Sequence, residues 1–146
     1  MLFLNWTNTS DPGMPTRAEV ADGFHWNLWK TRQVPFAELS HGTDIVLVDS
    51  WPGEGRLTWQ VRATDVVAAP YATRGGAVRL VATGLGPKRS VVRNHDDTAG
   101  RPDAGYALAW NTRPIRRLDL PRPADMTFLR NGWLRVDDPA VLRAGD

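Results

Sequence analysis

Apolar and polar positions along the chain alternate mostly with a period of two, in short runs closed by glycine and proline. Leu2-Phe3-Leu4-Asn5-Trp6 reads as a first strand, and Thr7 to Pro15, which contains Asp11-Pro12-Gly13, as a loop. Thr16 with Glu19 three residues on has the spacing of a capping box for a short helix ended by Gly23. Phe24, Trp26 and Leu28 then alternate with His25, Asn27 and Trp29, as in a strand, so Trp26 goes to the core and Trp29 to the opposite phase. Pro35 to Leu39 predicts about one helical turn.

Asp44 to Ser50 is β-branched and bounded by Gly42 and Pro52-Gly53, which predicts a buried strand. After the turn Trp51 to Gly55, the residues Leu57, Trp59, Val61 and Ala63 fall on one face of a second strand, making a hairpin with the first. Keeping Val66-Val67-Ala68 in that sheet needs a bulge. Ala77, Leu80, Val81 and Leu85 have helical spacing, from about Gly76 to a stop at Gly84 or Gly86. Ser90 to Arg93 is a short extended piece, and Asn94 to Gly105 a polar loop. Tyr106 to Trp110 and Pro114 to Leu120 predict a strand pair or one bent strand, with Pro114 against a central position. Met126 to Leu129 and Gly132 to Val136 are terminal strands or turns, and Asp137 to Asp146 is a tail.

The elements sum to one α+β domain over residues 1–146: a curled mixed β-sheet or small β-barrel of five to seven strands, with two or three short flanking helices. The four apolar residues at the N-terminus lack a basic leader, and no run approaches a membrane span, so the expectation is a cytoplasmic protein with no membrane partner. With no cysteine there is no disulfide, zinc finger or thiol nucleophile.

Charge changes the picture more. Residues 1–70 carry 5 Lys/Arg against 8 Asp/Glu, whereas residues 71–122 carry 10 against 4. A basic second half suits a polyanion such as nucleic acid. The other unusual feature is seven tryptophans in 146 residues. Tryptophan favours core edges and binding sites, because its indole N–H needs an acceptor.

Catalytic patterns are weak by comparison. Gly84-Leu85-Gly86-Pro87-Lys88-Arg89 has a proline where a phosphate loop needs a donor, and a helix stop followed by a turn accounts for it better. His25, His41 and His95 are not spaced as a ligand set, and His95-Asp96-Asp97 lies in the polar loop. Ser50 has no nucleophile elbow, and Asp49 with Glu54 reads as polar residues at a hairpin end. No cofactor or metal is expected.

The run Phe24 to Trp29, the short Pro35 to Leu39 segment, Gly42-Thr43-Asp44-Ile45-Val46-Leu47-Val48 and the strand Leu57 to Val67 stand in an order similar to the EVE-like part of the PUA-like superfamily. The similarity covers roughly residues 1–70, with Gly42-Thr43-Asp44 in place of a direct Gly-Asp and no glycine at Gln60-Val61-Arg62. It implies a PUA-like curled barrel that reads a modified base of RNA or DNA in an aromatic-lined pocket. It places Trp26, Trp29 and Ser50 or Trp51 near that pocket.

Position and residue type extend the candidate base pocket to Trp6, Trp26, Trp29, Ser50, Trp51, Trp110 and Asn111. Aromatic faces stack a base, and Asn or Ser groups read its edge. Candidate phosphate contacts are Lys88, Arg89 and Arg93 in one group, and Arg113, Arg116 and Arg117 in another. The expected activity is therefore binding rather than turnover, with nucleic acid as partner. Two alternatives stay open: a protein-interaction or accessory domain without a small ligand, and a small enzyme acting on a nucleotide or phosphodiester. Oligomeric state has no signature in the sequence.

Overall fold

A computed structural model describes residues 2–7, 14–49, 55–85, 100–123, 126–129 and 131–136. The elements in chain order are β1 (Leu2–Thr7), α1 (Arg17–Ala21), β2 (Phe24–Trp29), β3 (Asp44–Asp49), β4 (Arg56–Tyr71), α2 (Arg74–Leu85), β5 (Gly105–Pro121) and β6 (Trp133–Val136). The six strands form one mixed sheet in the order β2-β5-β4-β3-β1-β6, in which β1 runs parallel to β3 and the other pairs are antiparallel. The predicted α+β architecture is therefore present as a curled half-barrel with two helices.

Curling follows from the burial pattern. One face of every strand contributes to a single interior cluster: Phe3 from β1, Trp29 from β2, Ile45 and Leu47 from β3, Trp59 and Val61 from β4, Trp110 from β5 and Trp133 from β6. A flat sheet could not bring its two end strands together around these side chains. Here Trp133 Nε1 on β6 donates to Asn27 Oδ1 on β2 at 3.2 Å. The end strands meet through side chains, and among the described residues no backbone ladder joins them. The edge is left as a seam.

The β3–β4 hairpin forms where the hydrophobic pattern predicts it, with one correction. The register steps between Leu47/Val48 and Leu57/Trp59, leaving Thr58 unpaired, and its hydroxyl donates to the Leu47 carbonyl at 3.2 Å. Leu57 is thereby turned to the opposite face, against Leu4, Val46, Val48 and Met126, and does not share the interior with Trp59 and Val61. A single extra residue reverses every side chain before it. The bulge expected near Val66 is present as a register shift between Thr64 and Val67, with Asp65 at φ +51°. It sends Val66 to the interior and Val67 toward α2.

Residues 105–121 form one long strand. β5 lies between β2 and β4, but β2 pairs only with Tyr106 to Asn111. Pro114 therefore sits in a central strand at a point where only β4 is hydrogen-bonded to it, which reconciles the missing donor with the sheet.

The capping box at Thr16 and Glu19 is formed in both directions. α2 starts at Arg74, two residues before the predicted Gly76, because the Thr73 hydroxyl accepts the Gly76 N–H at 2.9 Å. It packs on the outer face of the sheet, where Ala107 and Ala109 leave room for Ala77, Val78 and Val81. Pro35 to Leu39 forms the expected single turn, with the Leu39 N–H donating to the Pro35 carbonyl at 2.9 Å, and it drops Phe36 and Leu39 into the interior. Met126 to Leu129 is irregular, so β6 alone provides the terminal strand. The expected pieces at Ser50 to Glu54, Gly86 to Ala99 and Asp137 to Asp146 lie outside the described residues. Among the described residues no helix is long and apolar enough to cross a membrane.

Candidate functional site

Strand alternation on β2 decides what faces the seam. Phe24, Trp26 and Leu28 point outward and pack with α2, leaving His25, Asn27 and Trp29 on the inner side. His25 is the direct cross-strand partner of Trp110, and the two rings stack with centroids 4.3 Å apart and planes 17° from parallel. Trp110 in turn meets Trp133 at 5.8 Å, and Trp133 meets Phe3 edge-on at 6.3 Å. The result is a continuous aromatic layer, His25-Trp110-Trp133-Phe3, that crosses from β2 and β5 to β6 and β1.

The polar atoms of this layer are unevenly satisfied. Trp59 Nε1 donates to the Pro15 carbonyl at 2.9 Å, and Trp133 Nε1 donates to Asn27. Trp110 is completely buried, and its Nε1 has no acceptor among the described residues. Buried polar groups are nearly always paired, and a donor left alone costs about 1–3 kcal/mol. His25 lies deep in the packing yet keeps part of its surface accessible. Burial lowers its pKa to about 4, so the imidazole is neutral at pH 7 and carries one donor and one acceptor.

The candidate pocket residues fall in three places. Trp29 and Trp110 share the interior. Trp26 lies on the α2 side beneath the Arg101 guanidinium, 5.1 Å from its ring centre, and Asn111 on the same side donates to Asp65 Oδ2 and the Leu85 carbonyl. Trp6 packs edge-on against Phe128, with Arg122 over its ring, in the cluster that contains Leu57. Ser50 and Trp51 lie outside the described residues. Sequence reasoning did not assign His25, Asn27 and Trp133 to the pocket. Alternation groups 25 and 27 with Trp29, but that phase was expected away from the core and Trp26 in it; the curl of the sheet reverses the two, and the approach of β6 to β2 has no local signature.

The arginines divide likewise. Arg113 lies across from Arg62 and Arg116 across from Gln60, on the outer face, where Asp44 binds both Arg62 and Gln60. Arg113 and Arg116 are exposed and have no carboxylate partner among the described residues. Arg117 is registered with Trp59 instead and lies 3.8 Å from Asp119, which Arg56 also binds. Arg17 adds a further cation over the Trp59 ring at 5.5 Å. Lys88, Arg89 and Arg93 lie outside the described residues.

Elsewhere, a cleft of about 520 Å³ is lined by Lys30, Arg101 and Asp103, and one of about 540 Å³ runs between β4 and α2 past Tyr71, Arg79 and Leu80. Tryptophan lines neither. Among the described residues no three His, Asp or Glu side chains converge as a metal would need, and Leu129 is the one large apolar side chain that is exposed. Comparison with known protein families, with curated proteins and with solved structures finds no match to this chain.

Proposed function

We propose that this is a non-catalytic nucleic-acid-binding domain that reads a modified or flipped base at the aromatic seam. The observation that carries the reading is the His25-Trp110-Trp133 layer, which crosses the gap between the end strands and contains an indole N–H with no acceptor among the described residues. Aromatic faces stack bases of any sequence, and donors aimed from the pocket wall select among their edges. Arg113 and Arg116 supply outward cations for the backbone phosphates, on the same strand as Trp110, with Arg113 about 10 Å along it at the usual strand rise.

Titration of fluorescently labelled single- and double-stranded oligonucleotides, unmodified and base-modified, tests this. The expected result is binding at low salt that weakens as salt is added. Absence of binding to every oligonucleotide at low salt overturns the reading.

A further inference from the structure

We propose that the cleft between β4 and α2 binds a small apolar molecule carrying a single carboxylate, its apolar body against Tyr71 and Leu80 and its carboxylate on Arg79. The cleft lies on the outer face of the sheet, under α2, and is independent of the aromatic seam. Two glycines set its shape. At Gly84 an added Cβ would fall 1.8 Å from Val67 Cγ2, so helix and strand touch there and close one end. About two turns earlier, an added Cβ at Gly76 would meet Thr73 Oγ1 at 3.2 Å and Arg79 Nη2 at 3.8 Å, and no atom of β4 within 4 Å. α2 therefore diverges from β4 toward its N-terminal end, and the wedge between them is the cleft of about 540 Å³. Sites that hold small molecules have this size, about 300–1,000 Å³.

The walls are apolar, and the protein's own packing does not fill the space between them. Ala77, Val78, Val81 and Leu85 form the buried face of α2, and Leu80 stands beside that face, half-buried, at the cleft. Pro70 reaches the cleft from β4 and is exposed. Tyr71 is buried, and its hydroxyl donates to the Pro102 carbonyl at 2.9 Å, so a fixed ring lines the cleft. Covering these groups takes apolar surface out of water, which is the driving term for an apolar ligand.

Charge decides which apolar ligand fits. Arg79 is exposed at the cleft and has no carboxylate partner among the described residues, whereas Arg74, the other charged residue of α2, pairs with Asp103 at 3.3 Å. The Arg79 guanidinium lies back over Gly76, at the open end of the wedge, where a side chain at 76 would crowd it. The first turn of α2 has no acidic residue, so the positive end of the helix dipole adds to the same field. Thr83, one turn beyond Arg79, brings a hydroxyl to the cleft, and among the described residues no Asp or Glu lines it. A guanidinium holds a carboxylate through two parallel N–H donors. One guanidinium matches one negative charge, whereas a phosphomonoester, with roughly −1.5 to −2, would leave charge unmet beside an apolar wall.

The test titrates the ¹⁵N-labelled full chain with n-octanoate, and with n-octanol and n-octylamine as neutral and cationic controls of the same length. Octanoate is expected to move the backbone signals of Gly76, Leu80 and Gly84 together, with octanol binding about tenfold more weakly and octylamine more weakly still. Arg79→Gln is expected to weaken octanoate binding about tenfold, as for loss of one hydrogen bond to a charged group, and to leave octanol binding unchanged. Ala72→Trp, at an exposed position on the cleft wall, fills the space and is expected to abolish binding of both without lowering the thermal midpoint. Should Ala72→Trp fail to fold, Arg79→Gln, on the exposed side of α2, carries the test.

Octanoate and octanol binding with equal affinity, or octanoate binding unchanged in Arg79→Gln, overturns the proposal. So does octanoate that moves no signal of α2, or that binds a folded Ala72→Trp as tightly as the wild type. Each of these results leaves oligonucleotide binding at the seam standing.

Discussion

His25 makes stability depend on pH in a way that can be worked out beforehand. A free imidazole binds its proton near pH 6.5, whereas burial against Trp110 brings the folded value to about 4. Each tenfold change in proton affinity corresponds to 1.36 kcal/mol, so charging His25 in place is disfavoured by about 3 kcal/mol. Because the unfolded chain takes up the proton first, stability is flat above pH 6.5, falls as the pH drops toward 4, and levels off below that. Urea unfolding followed by tryptophan fluorescence, at about pH 7.5 and about pH 4.5, should show the wild type losing about 2–3 kcal/mol more than His25→Gln. His25→Gln leaves every other ionisable side chain in place, so the difference belongs to His25. Parallel pH curves for the two proteins would refute the burial argument, because they require an imidazole equally willing to be charged in both states.

Asn27→Ala leaves the Trp133 indole without its acceptor and removes the link between β2 and β6, and should cost about 1–3 kcal/mol in urea unfolding; an unchanged midpoint would mean that the seam is not closed by this bond. Gly84→Ala would ordinarily favour a helix by about 1 kcal/mol. Here the added Cβ falls 1.8 Å from Val67 Cγ2, so the variant should be net destabilised, and a stabilised protein would show that α2 does not sit this close to β4. Replacing Arg113 and Arg116 together with alanine should reduce the slope of log affinity for duplex DNA against log salt by about 2, one phosphate contact for each, with little effect on stability. An unchanged slope would move the phosphate contacts elsewhere.

Much of the architecture was legible because it is local. Thr16 and Glu19 carry their cap in their spacing, and β3 is a single β-branched run. Alternation divided β2 into its two phases but put Trp26 in the core and Trp29 opposite, whereas the sheet curls the other way and holds Trp29 in the interior and Trp26 against α2. What escaped depends on residues that break a period. Thr58 reverses Leu57 by one extra position, and nothing in Leu57-Thr58-Trp59 marks it, since the pattern reads as regular alternation. Thr73 caps α2 ahead of two glycines that masked the helix start. The proposed pocket was less legible still. Tryptophan content pointed to an aromatic site, but whether Trp6, Trp26 and Trp110 share it depends on which face each strand turns to its neighbours and how the sheet curls. Those are long-range properties: Trp133 finds Asn27 across 106 residues of chain.

The seam also bears on why this interior is composed as it is. A half-barrel built for stability alone would close β2 onto β6 with a backbone ladder, or seal the gap with aliphatic side chains, which carry no polar atoms to satisfy. Position 110 instead holds an indole whose N–H costs about 1–3 kcal/mol for want of a partner, and position 25 holds an imidazole that burial must keep uncharged. Both departures from good core chemistry sit on directly paired residues of β2 and β5, at the end of the sheet where the barrel is open. Elsewhere in the same cluster, Trp59 and Trp133 have their acceptors and the aliphatic residues are closely packed. Sequences agree with their folds except where function requires otherwise, and among the described residues the Trp110 indole and the His25 imidazole stand together beside the gap between β2 and β6, which is the physical ground for the binding site proposed there.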